Sequence, residues 1–278
     1  MNDALDWWVY GSFHIAFCVF AFATYTYLAY ELIPNYYYLA FISNSTFLVY
    51  SCHKLLGIKR VGEVASRKRF RIVKEHTKHI IIYVLTSLII EFCLLFMLSW
   101  NAFLLLSLAA VTSILYISPI LPKRKRLRDF WYIKIFLIAG VFGFVCAYIP
   151  LHNANVSSME SIPFSFMQAF FVFGLTIPFD VRDIEVDKID NNVSLATYFG
   201  KKKSILLSLL TLFGVVVFSL LSFKLIIAFP IIITSFATCF LLLLLYLQYK
   251  VTDLYYTFLL DGMLIFPSLT YLFKHFLE

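Results

Sequence analysis

Three aspartates in the second half of the chain have the spacing of a metal and phosphate site. Because an α-helix makes a turn every 3.6 residues, positions i, i+3 and i+7 share one helical face. Asp180, Asp183 and Asp187, called the acidic stripe from here on, have this spacing directly after a long apolar run. Carboxylate oxygens bind Mg²⁺, which usually keeps phosphate oxygens and waters as its other ligands. The alternative is a helix whose acids pair with the neighbouring Arg182 and Lys188.

A second polar segment combines a tyrosine, two prolines and a basic run. Tyr116 ends an apolar stretch, Pro119 and Pro122 follow it, and the basic run begins with Lys123 and Arg124. Lysine and arginine bind phosphate oxygens, arginine through a bidentate fork, and the tyrosine could donate a hydrogen bond to a leaving oxygen. The alternative is an aromatic anchor at the membrane interface, followed by the positive charges that cytoplasmic loops usually carry.

Polar and ionisable side chains also interrupt other apolar segments. Asn44 shares a helical face with Leu48 and Cys52, and this segment holds polar atoms but no carboxylate. Glu91 and Lys134 lie within apolar runs. Charges inside membranes are costly, so they indicate pairing or function. One arrangement that satisfies both charges is a Glu91–Lys134 pair across a helical bundle.

The composition is that of a polytopic membrane protein. Hydrophobic residues make up 62% of the chain and charged residues 14%, against about 25% charged in soluble domains. A spanning helix needs about 20 apolar residues. We therefore predict an all-α membrane bundle of about nine transmembrane helices in a single domain over 1–278, with no removable signal peptide. The predicted spans are 8–29, 36–57, 80–99, 101–118, 130–150, 161–179, 204–223, 225–247 and 254–274.

The basic residues lie almost entirely in alternate loops. Of the 23 lysines and arginines, nine lie in 54–78, five in 123–128, five in 182–203, and one is Lys250. The positive-inside rule places these loops in the cytoplasm. This predicts a multi-pass protein of the inner (cytoplasmic) membrane with a cytoplasmic N-terminus. The net charge of +7 is therefore a one-sided belt that attracts anionic membrane lipids or ligands, and we expect no nucleic-acid partner.

The segment DVRDIEVDKIDNNVSLATYFGKKKS, which starts at Asp180, resembles the second acidic motif of the UbiA superfamily of intramembrane prenyltransferases. That motif has the form D-x-x-D-x-x-x-D, then a Thr-Leu-Pro-like element, and a glycine before basic residues. Here Ser194 begins the Thr-Leu-Pro-like element and Gly200 precedes three lysines. The segment YISPILPKRKR resembles the family's tyrosine–proline–basic motif, and the nine-span layout matches over nearly the whole chain.

The resemblance implies a bundle around a central apolar cavity that opens to the cytoplasmic rim. It also implies Mg²⁺-dependent transfer of a prenyl group from an isoprenyl diphosphate to an aromatic, quinone-precursor or lipid-like acceptor. Two Mg²⁺ sites would face each other across the diphosphate. The acidic stripe would supply metal ligands and catalytic groups, with Tyr116 near the scissile bond. The residues implied in substrate binding are Asn44, Lys123, Arg124 and Arg182.

The chain departs from the family at the first acidic motif, N-D-x-x-D-x-x-x-D. Alignment on Asn44 puts Ser45, Leu48 and Cys52 at the positions of the three acids. Carboxylates are therefore expected on only one side of the diphosphate. Either acids of the following loop reach in, or basic residues of that loop neutralise the diphosphate directly.

Three functions remain open from the sequence. Removing one charge-stabilising group lowers a rate by about 10²–10³, so the missing acids favour either a one-metal prenyltransferase with more basic charge or a silent protein. The silent form would bind prenyl lipids on the same fold without turnover. A transporter would need an ionisable path through the membrane midplane, for which the candidates are Glu91, Lys134 and Asp261.

Overall fold

The computed structural model describes residues 3–58, 68–118, 127, 130–189 and 193–277. Within these ranges the regular secondary structure is helical and there is no strand, which confirms the predicted all-α class. Two π-helical segments, Phe144–Tyr148 and Tyr255–Leu260, occur among the α-helices. The α-helices of the described ranges are α1 (Asp3–Tyr10), α2 (Phe13–Ala29), α3 (Tyr36–Ile58), α4 (Lys68–Glu75), α5 (Thr77–Leu95), α6 (Trp100–Ile117), α7 (Trp131–Gly143), α8 (Ile149–Asn153), α9 (Ser158–Ile189), α10 (Leu195–Phe199), α11 (Lys201–Ser222), α12 (Leu225–Tyr246) and α13 (Phe266–Leu277).

Several of these helices identify an integral membrane protein, because only long apolar helices satisfy their backbone within lipid. Two shorter apolar helices, Phe13–Ala29 and Trp100–Tyr116, accompany the longer ones. Helix α3 has 23 residues, but its asparagine, serines, threonine and histidine lower its hydropathy. The count of nine spans therefore stays a prediction. In the described part of the chain, five segments are long and apolar enough to cross a membrane: Thr77–Leu95, Ile133–Asn153, Ser158–Lys188, Lys201–Ser222 and Leu225–Tyr246.

Helix α9 connects most of the bundle. It packs against α7 and α11, and it also contacts α10 and both π-helical segments. On the other side of the bundle, α3 packs against α2 and α5, while α13 contacts both α2 and α12. Helix α13 therefore connects α12 with α2 across the bundle. The largest fully buried side chains include Phe22, Tyr25, Tyr38, Phe164 and Phe171.

Hydroxyl groups from neighbouring helices satisfy carbonyls that prolines leave without a helical donor. Proline has no N–H, so Pro178 cannot bond the carbonyl of Gly174 four residues earlier. The Ser208 hydroxyl on α11 donates to that carbonyl at 2.5 Å. At Pro150 the same deficit falls on the Cys146 carbonyl, which accepts a hydrogen bond from a threonine of α2 at 2.7 Å. Because an unpaired carbonyl is costly in lipid, the first of these bonds stabilises α9 across Pro178, just before the acidic stripe.

Candidate functional site

The acidic stripe lies in the final turns of α9. The sequence predicts that the span ends at 179 and that the three acids share a helical face beyond it, and the structure continues the same helix to Ile189. The continuation occurs because apolar side chains between the aspartates, among them the buried Val181, keep packing against the bundle. Asp180 is fully buried and Asp187 is 8% exposed, so these two carboxylates lie inside the protein. The carboxylates of Asp180 and Asp183 both interact electrostatically with Asp187, as the shared helical face predicts.

Asp180 is paired with a lysine of the neighbouring helix α7. The Nζ atom of Lys134 lies 2.5 Å from Oδ1 of Asp180, and the two side chains are 17% and 1% exposed. The suggested Glu91–Lys134 pair is therefore replaced by a Lys134–Asp180 pair. Sequence periodicity within one helix carries no information about register between α7 and α9, although Lys134 is the one charged residue of the predicted span 130–150.

Asp183 is held by the adjacent Arg182 in a two-pronged ion pair. Nε and Nη2 of Arg182 donate to the two carboxylate oxygens at 3.1 and 3.0 Å. The guanidinium also lies 5.1 Å from the ring centroid of Phe179 and 5.7 Å from that of Tyr256, which are cation–π distances. The sequence-based alternative of an acid paired with Arg182 is thus realised for Asp183, and the pair fixes the direction of both side chains.

Asp187 is buried at the point where α9 leads into the short helix α10. The side chain of Ser194 lies beside its carboxylate, and Lys134 also interacts with it electrostatically. Ser194 is itself fixed by a capping box, in which its hydroxyl accepts from the Thr197 N–H and its own N–H donates to the Thr197 hydroxyl. Gly200 then ends α10 with φ of +80°, a conformation that favours glycine. The Ser194–Gly200 element therefore positions the Ser194 side chain next to Asp187.

The first-motif residues of α3 face a carboxylate that sequence reasoning did not assign to them. The Asn44 amide donates to Oε2 of Glu91 at 2.5 Å and to the Ser87 carbonyl at 2.9 Å. Its carbonyl oxygen accepts from the Ser87 hydroxyl at 2.5 Å. The hydroxyl of Ser45 donates to Oε1 of Glu91. The available signal was the spacing of Ser87 and Glu91, which are four residues apart on a mostly apolar helix and therefore share a face.

The remaining predicted residues are only partly described. Tyr116 lies in the last turn of α6, near Tyr50 of α3. Lys123 and Arg124 lie outside the described residues.

Comparison with known proteins agrees with this geometry. The UbiA prenyltransferase family model matches residues 59–257, which is more than half of the chain. The chain belongs to the UbiA prenyltransferase family. The match includes the acidic stripe, Ser194 and Gly200. None of the curated proteins matches the sequence.

Solved structures show that UbiA homologues share the fold of this chain. The structure of a UbiA homologue from Archaeoglobus fulgidus bound to GPP and Mg²⁺ has a TM-score of 0.67 at 14% identity, covering 96% of this chain and 99% of that chain. An apo UbiA homologue from Aeropyrum pernix K1 gives 0.68 at 13% identity, with coverage of 95% and 98%. A structure of digeranylgeranylglyceryl phosphate synthase gives 0.59 at 16% identity, covering 98% of both chains.

The donor set of this UbiA family member fits one divalent cation. Oδ2 of Asp180 and Oδ2 of Asp187 are buried and make no hydrogen bond, although buried carboxylate oxygens normally have a partner. Among the residues that the structure describes, no three His, Cys, Asp or Glu side chains form a metal cluster. However, Mg²⁺ is often bound by one or two carboxylates together with substrate phosphates. The α3 side does not fit a second ion, because Leu48 has no donor atom and Ser45 bonds Glu91.

Proposed function

We propose that this protein transfers a prenyl group from an isoprenyl diphosphate to a hydrophobic acceptor within the membrane, with Mg²⁺ as cofactor. The observation that carries the proposal is the acidic stripe, in which two of three carboxylates have a buried oxygen without a hydrogen-bond partner. Membership of the UbiA prenyltransferase family supports it. So do structures of the same fold bound to GPP or DMAPP and Mg²⁺. The acceptor would be aromatic, a quinone precursor or lipid-like.

The acidic stripe and the basic residues divide the work in this proposal. Asp183 and Asp187, with Asp180, would hold Mg²⁺, which would stabilise the negative charge of the leaving diphosphate. Arg182 would bind diphosphate oxygens, since its guanidinium is already oriented by Asp183 and two aromatic rings. The aromatic faces at this position also suit a prenyl carbocation.

The other site residues follow from their positions. Tyr116 would donate a hydrogen bond to the oxygen of the scissile bond, and Lys123 and Arg124, which follow it in the chain, would bind phosphate oxygens. Asn44 would act as a positioning residue on α3, because its amide already bonds Ser87 and Glu91.

We further propose nine membrane crossings that surround an apolar prenyl cavity open to the cytoplasmic rim. The crossings would be made by α2, α3, α5, α6, α7 with α8, α9, α11, α12, and the second π-helical segment with α13. The contacts of α13 with both α2 and α12 support a closed arrangement. Fold matches over 95–98% of the chain support a single domain over 1–278. The alternate basic loops support a cytoplasmic N-terminus in the inner membrane.

The test is loss of prenyl transfer when Asp187 is neutralised. Isolated membranes containing the wild type, Asp187→Asn or Glu160→Gln are supplied with labelled isoprenyl diphosphates, Mg²⁺ and a panel of acceptors. Glu160 is exposed in the first turn of the same helix, so its variant is the matched control. We expect Asp187→Asn to lose at least ~10²-fold of the rate, as for other charge-stabilising groups, and Glu160→Gln to keep it. Equal rates in all three proteins would refute the role of Asp187.

A catalytically silent prenyl-lipid-binding protein is the second candidate. It is favoured by the ion pairs that already occupy Asp180 and Asp183 and by the missing acids at Ser45, Leu48 and Cys52. This candidate predicts that the wild type binds isoprenyl diphosphates with the same affinity with and without Mg²⁺, and that it releases no diphosphate from any substrate and acceptor pair.

A further inference from the structure

We propose that Lys134 is a fixed cation of the diphosphate site and takes over part of the charge of the Mg²⁺ ion that the first motif cannot hold. The inference rests on the proposed function. It assigns to Oδ1 of Asp180 the role of counter-ion that orients Lys134, and it leaves the unpartnered oxygens of Asp180 and Asp187 to the metal ion.

The position of Lys134 supports a binding role. A lysine within a membrane span is costly and marks function or pairing. Lys134 is mostly buried, and its ammonium contacts Asp180 at 2.5 Å. It also interacts electrostatically with Asp187, two helical turns further along α9. One ammonium thus acts on both ends of the acidic stripe. Because a lysine carries three N–H donors, it can bind a phosphate oxygen while it keeps Asp180.

The pair with Asp180 is incomplete as a purely structural ion pair. A buried ion pair offsets its desolvation cost only when further hydrogen bonds satisfy the remaining atoms. Oδ2 of Asp180 is buried and accepts none. This carboxylate therefore has a free acceptor atom within the bundle, as expected for a group that holds a cation at a binding site.

Lys134 can fill part of the missing ion's role by direct contact. An ammonium donates charged hydrogen bonds to phosphate oxygens, whereas Ser45, Leu48 and Cys52 offer neither a carboxylate for a second metal ion nor a cation. Arg182 is shared among the carboxylates of Asp183, Asp253 and Asp261, so Lys134 is a second cation beside the acidic stripe.

The experiment measures binding of geranyl diphosphate to the purified protein in lipid nanodiscs, with EDTA and with Mg²⁺. Lys134→Met removes the charge but keeps the length of the side chain. Lys134→Arg restores a cation. Lys188→Met is the control, because Lys188 is an exposed lysine in the last turn of α9. We expect Lys134→Met to weaken metal-free binding by ~10-fold or more, the usual effect of one charged hydrogen bond. Lys134→Arg and Lys188→Met should stay within about threefold of the wild type by the same measure.

A double variant separates binding from folding. Lys134→Met leaves Asp180 as an unpaired buried charge, which destabilises a protein, whereas Lys134→Met with Asp180→Asn leaves none. The proposal expects the double variant to regain the wild-type melting temperature but not the metal-free affinity. Recovery of that affinity, or unchanged affinity in Lys134→Met, would overturn it and leave the proposed function intact. A wild type that binds no geranyl diphosphate under either condition would overturn both.

Discussion

The two sides of the candidate site satisfy their carboxylates by different means. On α9, Asp180 and Asp183 each face a cation, from Lys134 and Arg182 respectively. On the α3 side, Glu91 receives hydrogen bonds from the neutral side chains of Asn44 and Ser45. Neutral donors complete a contact between helices, while a lysine or an arginine carries more N–H donors than one carboxylate oxygen accepts and can also bind an anion. The α9 side is therefore suited to ligand binding and the α3–α5 contact to holding helices together.

The largest effect is expected when the family's acid is restored on α3. Ser45→Asp places a second carboxylate against Glu91, so we expect the free energy of unfolding to fall by about 3 kcal/mol, the scale of an unpaired buried charge. Unfolding in mixed micelles containing SDS measures the change. Ser45→Asn is the uncharged control, and adding Glu91→Gln should recover most of the loss. If Ser45→Asp were more stable than the wild type only in the presence of Mg²⁺, this side would instead bind metal.

A smaller effect is expected from the hydroxyl that supports α9. Ser208→Ala leaves the Gly174 carbonyl without a donor, so we expect a loss of about 2 kcal/mol in unfolding free energy. Ser204→Ala is the matched control, since Ser204 is buried on the same helix and its hydroxyl bonds the Gly200 carbonyl, which also accepts the Ser204 N–H. Equal losses in the two variants would show that the Gly174 carbonyl does not depend on Ser208.

The smallest effect is expected from neutralising Glu91 on its own. An amide side chain keeps the size of Glu91. Its oxygen can accept from the Asn44 amide, and its NH₂ group can donate to the Ser45 hydroxyl. We therefore expect Glu91→Gln to cost about 1 kcal/mol or less in unfolding free energy and to leave the Mg²⁺ dependence of prenyl transfer unchanged. If Glu91→Gln needed a much higher Mg²⁺ concentration for transfer, Glu91 would take part in metal binding, and the distinction between the two sides would not hold.

The sequence predicts the acids better than their partners. The spacing of Asp180, Asp183 and Asp187 predicts a shared helical face, and all three residues lie in α9. Hydropathy falls at the stripe although the helix continues to Ile189, so the end of the apolar run at 179 does not report the end of α9. The partners Lys134 and Glu91 depend on the register between different helices. Long-range packing sets this register, and single-helix periodicity does not report it.

The hydrogen bond from Ser208 to the Gly174 carbonyl has a consequence for the order of assembly. The two residues are 34 positions apart, so α9 is synthesised before its donor exists. Until α11 inserts beside it, the Gly174 carbonyl has no donor from that helix, and the segment beyond Pro178 is supported by the earlier α7 through the Lys134–Asp180 pair. The helix that carries the acidic stripe therefore gains the last of these two supports only when the following span arrives, which links its final stability to insertion of the second half of the bundle.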